Sequence, residues 1–187
     1  LILICSVVSA QDVKSDIEKE YKAMNQAMVD GEFAKVADLV SDELFTILPK
    51  EQFVGMLEMM MNNPQLEINL SVPDVLSIGE VMKVEEKYYA VLDTYSEQKM
   101  RFFNADGQTA KLADSPQTQQ TYETWKTQLG EDNVSYDEDS GYFTVNVKQK
   151  ALAISADGET GWKFLNLDEN TKRVIEKVVP EAVLSQI

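Results

Sequence analysis

Apolar residues recur at steps of three and four from Asp12 to Asp30. Val13, Ile17, Tyr21, Met24 and Met28 therefore share one face of an amphipathic helix, and Gly31 supplies its stop. A shorter helix follows, with Phe33, Val36, Ala37 and Val40 on one side. After Pro49, a third from Glu51 to Met61 carries Phe53, Leu57, Met60 and Met61. Its end, MLEMMM, has two readings, an adaptable thioether surface or a filled core. The helical spacing favours core filling.

Beyond Asn62-Asn63-Pro64 the period shortens. Leu66 to Val84 and Lys87 to Phe103 are rich in β-branched and aromatic residues and read as long strands joined at Glu85-Glu86. Pro73 and Gly79 mark an edge or bulge within the first. Asn104 to Gly107 is a turn. Ser115 caps a helix with Pro116 at its first position, and that helix carries Tyr122, Trp125 and Leu129 before ending at Gly130. Val134 to Tyr136 leads through a turn at Asp137 to Gly141 into a strand from Tyr142 to Ser155. There Phe143, Val145 and Val147 alternate with Thr144, Asn146 and Lys148, the period of a half-buried strand. Ala156-Asp157-Gly158 turns the chain into Trp162 to Leu167. A last amphipathic stretch, Val174, Ile175, Val178 and Val179, is interrupted by Pro180. Helices first, then antiparallel strands with one inserted helix, is an α+β pattern in one domain.

The stretch MVDGEFAKVADLVSDEL after a long amphipathic helix resembles the opening of the NTF2-like superfamily, and ALAISADGETGWKFLNLDEN resembles its last hairpin. The resemblance implies a single domain over residues 11–187, with N-terminal helices packed on a strongly bent, mostly antiparallel sheet. The sheet closes into a cone with a pocket, and the helix near 115–130 is an insertion. Members use the pocket as isomerases, dehydratases, cyclases or plain binding sites, so the fold alone does not choose a function. The resemblance also implies pairing through the outer sheet face, where Tyr89, Val91 and Tyr95 would support a weak or moderate homodimer against the repulsion of the net charge.

Composition narrows the chemistry. The 187 residues, 44% of them hydrophobic, suffice for a core without disulfides. A formal charge of −15 repels phosphates, which argues against nucleic acid and anionic membrane surfaces as partners. The chain has no histidine, so a His–Asp pair is impossible, and its one cysteine is Cys5. The apolar run LILICSVVSA is shorter than the roughly 20 residues that span a bilayer. Residues 1–10 read as the end of a signal peptide cleaved near Ala10, for a periplasmic or extracellular protein. A lipid anchor on Cys5 is the rival, disfavoured by Ile4 where a small residue is wanted. Cleavage would leave no cysteine nucleophile, no disulfide and no thiolate metal site, and neither a cofactor nor a metal is expected.

YYAVLDTYSEQ, residues 88–98, sets Asp93 near several phenols, as proton-transfer chemistry would need. Strand parity instead groups Asp93 with Tyr89, Val91, Tyr95, Glu97, Lys99 and Arg101, a face that prefers water. Asp137 and Asp139 invite a calcium reading, but no further ligands follow in loop register, and a hairpin turn uses the same residue types. An apolar set remains as the candidate pocket: Tyr88, Leu92, Phe143, Val145, Val147, Trp162 and Phe164. These expectations describe an exported, non-enzymatic module that binds a small apolar ligand or a protein partner. The alternative is a small lyase or isomerase using carboxylate and tyrosine groups in the cone.

Overall fold

In a computed structural model that describes residues 10–167 and 172–185, four helices precede the sheet: α1 (Ala10–Val29), α2 (Phe33–Leu39), α3 (Asp42–Phe45) and α4 (Lys50–Met61). The expected stripe of α1 is buried at Val13, Ile17, Tyr21 and Met24, and Ala27 joins it. The proposed signal segment and Cys5 lie outside the described residues, as does the side chain of Val174.

The sheet is built on two long antiparallel strands, β4 (Lys87–Phe102) and β6 (Phe143–Ser155), paired from Tyr88↔Ser155 to Met100↔Phe143. Three short strands line the other edge of β4: β1 (Leu66–Leu70), β2 (Asp74–Ile78) and β3 (Met82–Val84). The stretch expected as one strand is thus three. Pro73 has no N–H for a ladder, and the register shifts between Val75 and Ser77. At the β3–β4 connection Glu85 takes φ 54°, the left-handed conformation that a tight hairpin demands. On the far edge of β6, β5 (Val134–Tyr136) pairs with residues 143–145 and β7 (Lys163–Leu167) with residues 150–154.

Helix α5 (Pro116–Leu129) begins as its capping residues predict. Ser115 Oγ accepts from Thr118 N at 3.3 Å, and Pro116 occupies the first turn. The chain ends in α6 (Lys172–Val178) and α7 (Glu181–Leu184) on either side of Pro180.

Cross-strand partners share a face, so the register sorts the core into two layers. Ala90, Leu92, Thr94, Ala151, Ala153 and Phe164 face the α1 side, where Tyr21 meets Phe164 edge to face at 5.2 Å. At the far end of that face Phe143 is enclosed by Tyr136, Tyr122 and Trp125, with centroids 4.6–5.6 Å away. The opposite face carries Tyr89, Val91, Leu152, Ile154 and Leu165. These join Ile175, Val179 and Val183 of the C-terminal helices in one core cluster. Tyr89, expected on an open outer face, is accordingly 4% exposed. The amphipathic tail needs an apolar partner, and this end of the sheet supplies it. The short α3 is held nearby by Asp42 to Lys163 at 2.6 Å and by Glu43, which accepts from Ser41 Oγ and Lys87 Nζ.

The MLEMMM run departs from the core-filling expectation. No side chain of α4 is fully buried, and Met56, Met59 and Met60 are exposed. Periodicity states which residues share a face; here that face has no element over it among the described residues.

Candidate functional site

Between its pairings with β5 and β7, β6 leaves residues 146–149 without a strand neighbour on that edge. The C-terminal end of α5 and the pair α6–α7 approach this edge, and an open groove of about 1690 Å³ lies between them. Leu76, Leu129, Val147, Leu167, Ile175 and Leu184 give it apolar walls. Asp93, Glu176 and Glu181 set three carboxylates against the ammonium groups of Lys148 and Lys150. The row Ser77↔Asp93↔Lys150↔Leu167, one residue from each of four adjacent strands, forms part of its floor. The lining therefore joins apolar surface to charge of both signs.

Thr94 and Gln149, paired across β4 and β6, also line the groove, and Tyr21 lies behind them. The Tyr21 hydroxyl is fully buried, and no neighbour meets it in good hydrogen-bond geometry. Thr94, Gln149 and Asn25 stand close enough to pull its pKa down against the effect of burial, but outside good bonding alignment. Thr94 Oγ1 donates elsewhere, to the Gln149 carbonyl at 3.0 Å, and one of the two Asn25 Nδ2 hydrogens goes to the Tyr21 carbonyl at 2.8 Å. Burial pushes the Tyr21 phenol above its ordinary pKa, so it stays a neutral donor near pH 7. Trp162 Nε1 is a second buried donor without a partner. Unpaired buried donors are uncommon and mark places where a structure keeps bonding capacity in reserve.

Of the seven residues expected in a pocket, Val147 lines this groove. Leu92, Phe143, Val145, Trp162 and Phe164 are packed at 3% exposure or less. They also fall at two separate ends, Phe143 under α5 and Phe164 under α1. Tyr88 is half-buried with its ring against Gly158, where an added Cβ would fall 2.6 Å from it. The groove was not legible in the sequence, because its walls come from segments whose placement no local period reports.

Asp93 lies on the exposed side, as parity predicts, and accepts a hydrogen bond from Ser77 Oγ at 2.6 Å. The Tyr95 hydroxyl donates to Asn146 Oδ1 at 2.9 Å. A carboxylate–phenol bond forms elsewhere. Tyr142 Oη donates to Glu67 Oε1 at 2.6 Å, while Arg101 reaches Glu67 Oε2 through Nη2 at 2.5 Å and stacks 4.5 Å over the Tyr142 ring. The Tyr142 hydroxyl and then Arg101 hold the Glu67 carboxyl below its usual range. These groups satisfy one another and tie β1 to β4. Only the cross-strand register Glu67↔Arg101 could have revealed them.

Asp137 takes the turn role. Its Oδ1 accepts from Ser140 N at 2.6 Å and Ser140 Oγ at 2.7 Å, which hold its carboxyl below the ordinary value. Among the described residues no group of three or more His, Cys, Asp or Glu side chains converges on a metal position. No described helix is long and apolar enough to cross a membrane.

No family model and no curated protein matches the sequence. Among solved structures, an NTF2-like family protein from Streptomyces avermitilis, provisionally named a dehydratase, matches at 13% identity and a TM-score of 0.36. The match covers 83% of this chain and 93% of that one. Likeness at this level carries no argument about chemistry. The α+β architecture, helices on a seven-stranded antiparallel sheet, is the arrangement that the NTF2-like resemblance implies.

Proposed function

We propose that this chain is an exported, non-enzymatic binding module whose ligand is a small amphipathic molecule held in the groove between β6, α5 and the C-terminal helices. The observation that carries this reading is the lining itself. Six aliphatic side chains form the walls, and both signs of charge stand among them. Small-molecule sites pair apolar walls with a few placed polar groups, and typically enclose about 300–1,000 Å³. The volume here admits such a ligand and leaves one side open. A purely apolar molecule would strip water from these charges and return nothing polar. An apolar body with a zwitterionic head answers both parts. Export rests on the apolar run of residues 1–10 and on the hydrophilic texture that follows it.

Dodecylphosphocholine, used below its micellar concentration, is a suitable probe by isothermal titration. It is expected to bind at one site, and Val147→Glu together with Leu167→Glu should weaken it by roughly tenfold or more. Native mass spectrometry of the unaltered protein from cell extract is expected to show a retained small molecule. Absence of both signals, with both variants folded, would overturn the reading.

A further inference from the structure

Four of the eight methionines stand between residues 56 and 61. Met56, Met59 and Met60 are 53%, 75% and 41% exposed, whereas Met24 of α1 is 5% exposed. At spacing i, i+3 and i+4 their Cβ atoms are neighbours about 5–6 Å apart on one helix face. Burying such a side chain is a substantial source of stability. The fold takes none of that in full here, although Phe53 and Leu57 on the adjoining side of α4 pack against the core cluster. Glu58, two residues from Met56, is directed to the other side of the helix and lines a depression with Phe33 and Val54. The exposed face thus gathers thioethers without an intervening carboxylate from the helix.

A thioether sulfur is a soft donor that carries no proton at any physiological pH. Soft sulfur ligands select copper(I) over the hard ions calcium and magnesium. The chain has no histidine, and its one thiol is Cys5, so methionine is its only other soft ligand. Flexible side chains on three neighbouring positions can bring three sulfurs to one ion. The strongly acidic surface raises the local concentration of cations of any kind.

We propose that Met56, Met59 and Met60 form a surface site for a soft monovalent cation, copper(I), held by three thioether sulfurs. The bonds are dative: each sulfur donates a lone pair, nothing is oxidised or reduced, and no proton is released. Binding is therefore independent of pH across the range where carboxylate and imidazole sites weaken. This site is separate from the groove and does not depend on what the groove binds.

The test uses the full chain with Cys5→Ser and no polyhistidine tag, so that the methionines are its only soft ligands. Copper(I) is titrated in competition with bicinchoninate under anaerobic ascorbate. Silver(I), a redox-inert stand-in, is followed by methionine methyl NMR. One equivalent is expected to bind equally at about pH 5 and about pH 7.5, with methyl shifts at Met56, Met59 and Met60 and none at Met24. Met59→Leu alone should weaken copper(I) by about tenfold or more. The triple variant Met56→Leu, Met59→Leu, Met60→Leu should abolish it without altering the circular dichroism spectrum, because leucine matches methionine in volume and helix propensity. Failure to compete with bicinchoninate, binding retained by the folded triple variant, or binding lost on acidification would each overturn the proposal. Equal shifts at all methionines would mean adventitious silver only, and would overturn it as well.

Discussion

Replacing Tyr21 by phenylalanine removes one buried oxygen and nothing else. In most cores that change costs about 1 kcal/mol, because a bonded hydroxyl is lost and its partner is left unpaired. Here no partner meets the hydroxyl in hydrogen-bond geometry, and the Thr94 hydrogen and one of the two Asn25 amide hydrogens go elsewhere. Its desolvation, of order 1–3 kcal/mol, is uncompensated in the folded state. The ring contact with Phe164 at 5.2 Å and 68° survives in the variant. Against this stands a small void where the oxygen was, worth a few tenths of a kcal/mol at about 24 cal/mol per Å³. The expected outcome is a stabilisation of about 1 kcal/mol, seen as a higher urea midpoint with an unchanged slope and a rise in Tm of about 2–4 °C. Tyr21→Leu serves as the contrast, since it loses the ring and should destabilise by about 2 kcal/mol or more. A Tyr21→Phe variant destabilised by 1 kcal/mol or more, roughly the loss of a formed hydrogen bond, would refute the orphan hydroxyl and show that it has a partner. A gain would mean that the hydroxyl is kept at some expense to stability, as groups serving a ligand commonly are.

Gly158 stands at φ 78° with the Tyr88 ring in the position of a Cβ. Gly158→Ala should therefore destabilise by about 2–3 kcal/mol, part of it relieved by Tyr88→Ala in the same chain; chemical denaturation of the double-mutant cycle measures this, and strict additivity would refute the clash. The Asp157 carboxylate accepts from Glu159 N, Thr160 N and Thr160 Oγ1, each at 2.8 Å, and these bonds hold its carboxyl far below the ordinary range. Such a group stabilises above its unfolded value near 3.9, and that contribution is lost as pH falls through the depressed folded value. Asp157→Asn should thus lower stability at neutral pH by about 1 kcal/mol in urea titration, a figure reduced for the turn's exposure, and the deficit should shrink toward pH 2; a deficit constant with pH would rule this out. Thermal midpoints in millimolar calcium and in excess chelator should coincide, because Ser140 already occupies the Asp137 carboxylate; a rise of several degrees with calcium would show that the turn is a metal loop.

The helical stripe of α1 was legible because a burial pattern with period near 3.6 has no other common cause, and Val13, Ile17, Tyr21 and Met24 are buried accordingly. The fate of Asp93 was legible too, since Glu97 and Lys99 on the same face fix which side meets water. The methionines of α4 were misread for a related reason. Their spacing is equally periodic, but a period carries no information on whether a second element covers the face. Leu66 to Val84 was read as one strand because composition reports β preference, while the breaks come from Pro73 and from pairing with β4. The four-residue α3 is too short to leave a period at all. The groove depends on where α6 and α7 come to rest, and the orphan hydroxyl of Tyr21 depends on which bonds its neighbours have already made. Neither is a local property of the chain.

The spine of β4 and β6 sets an order of events during synthesis. Residues 101–142 separate the inner ends of the pairing, and the outer pair joins Tyr88 to Ser155. A contact this distant in sequence must close a long loop before any of its hydrogen bonds form, which slows folding. β4 can gather β1, β2 and β3 as soon as it is made, yet its other edge stays bare until residue 155 has left the ribosome. For that interval the sheet is half built, with one edge of its longest strand open to pairing. Once β6 docks, α1 and the C-terminal helices cover both faces, and reopening that edge would require breaking the whole spine together.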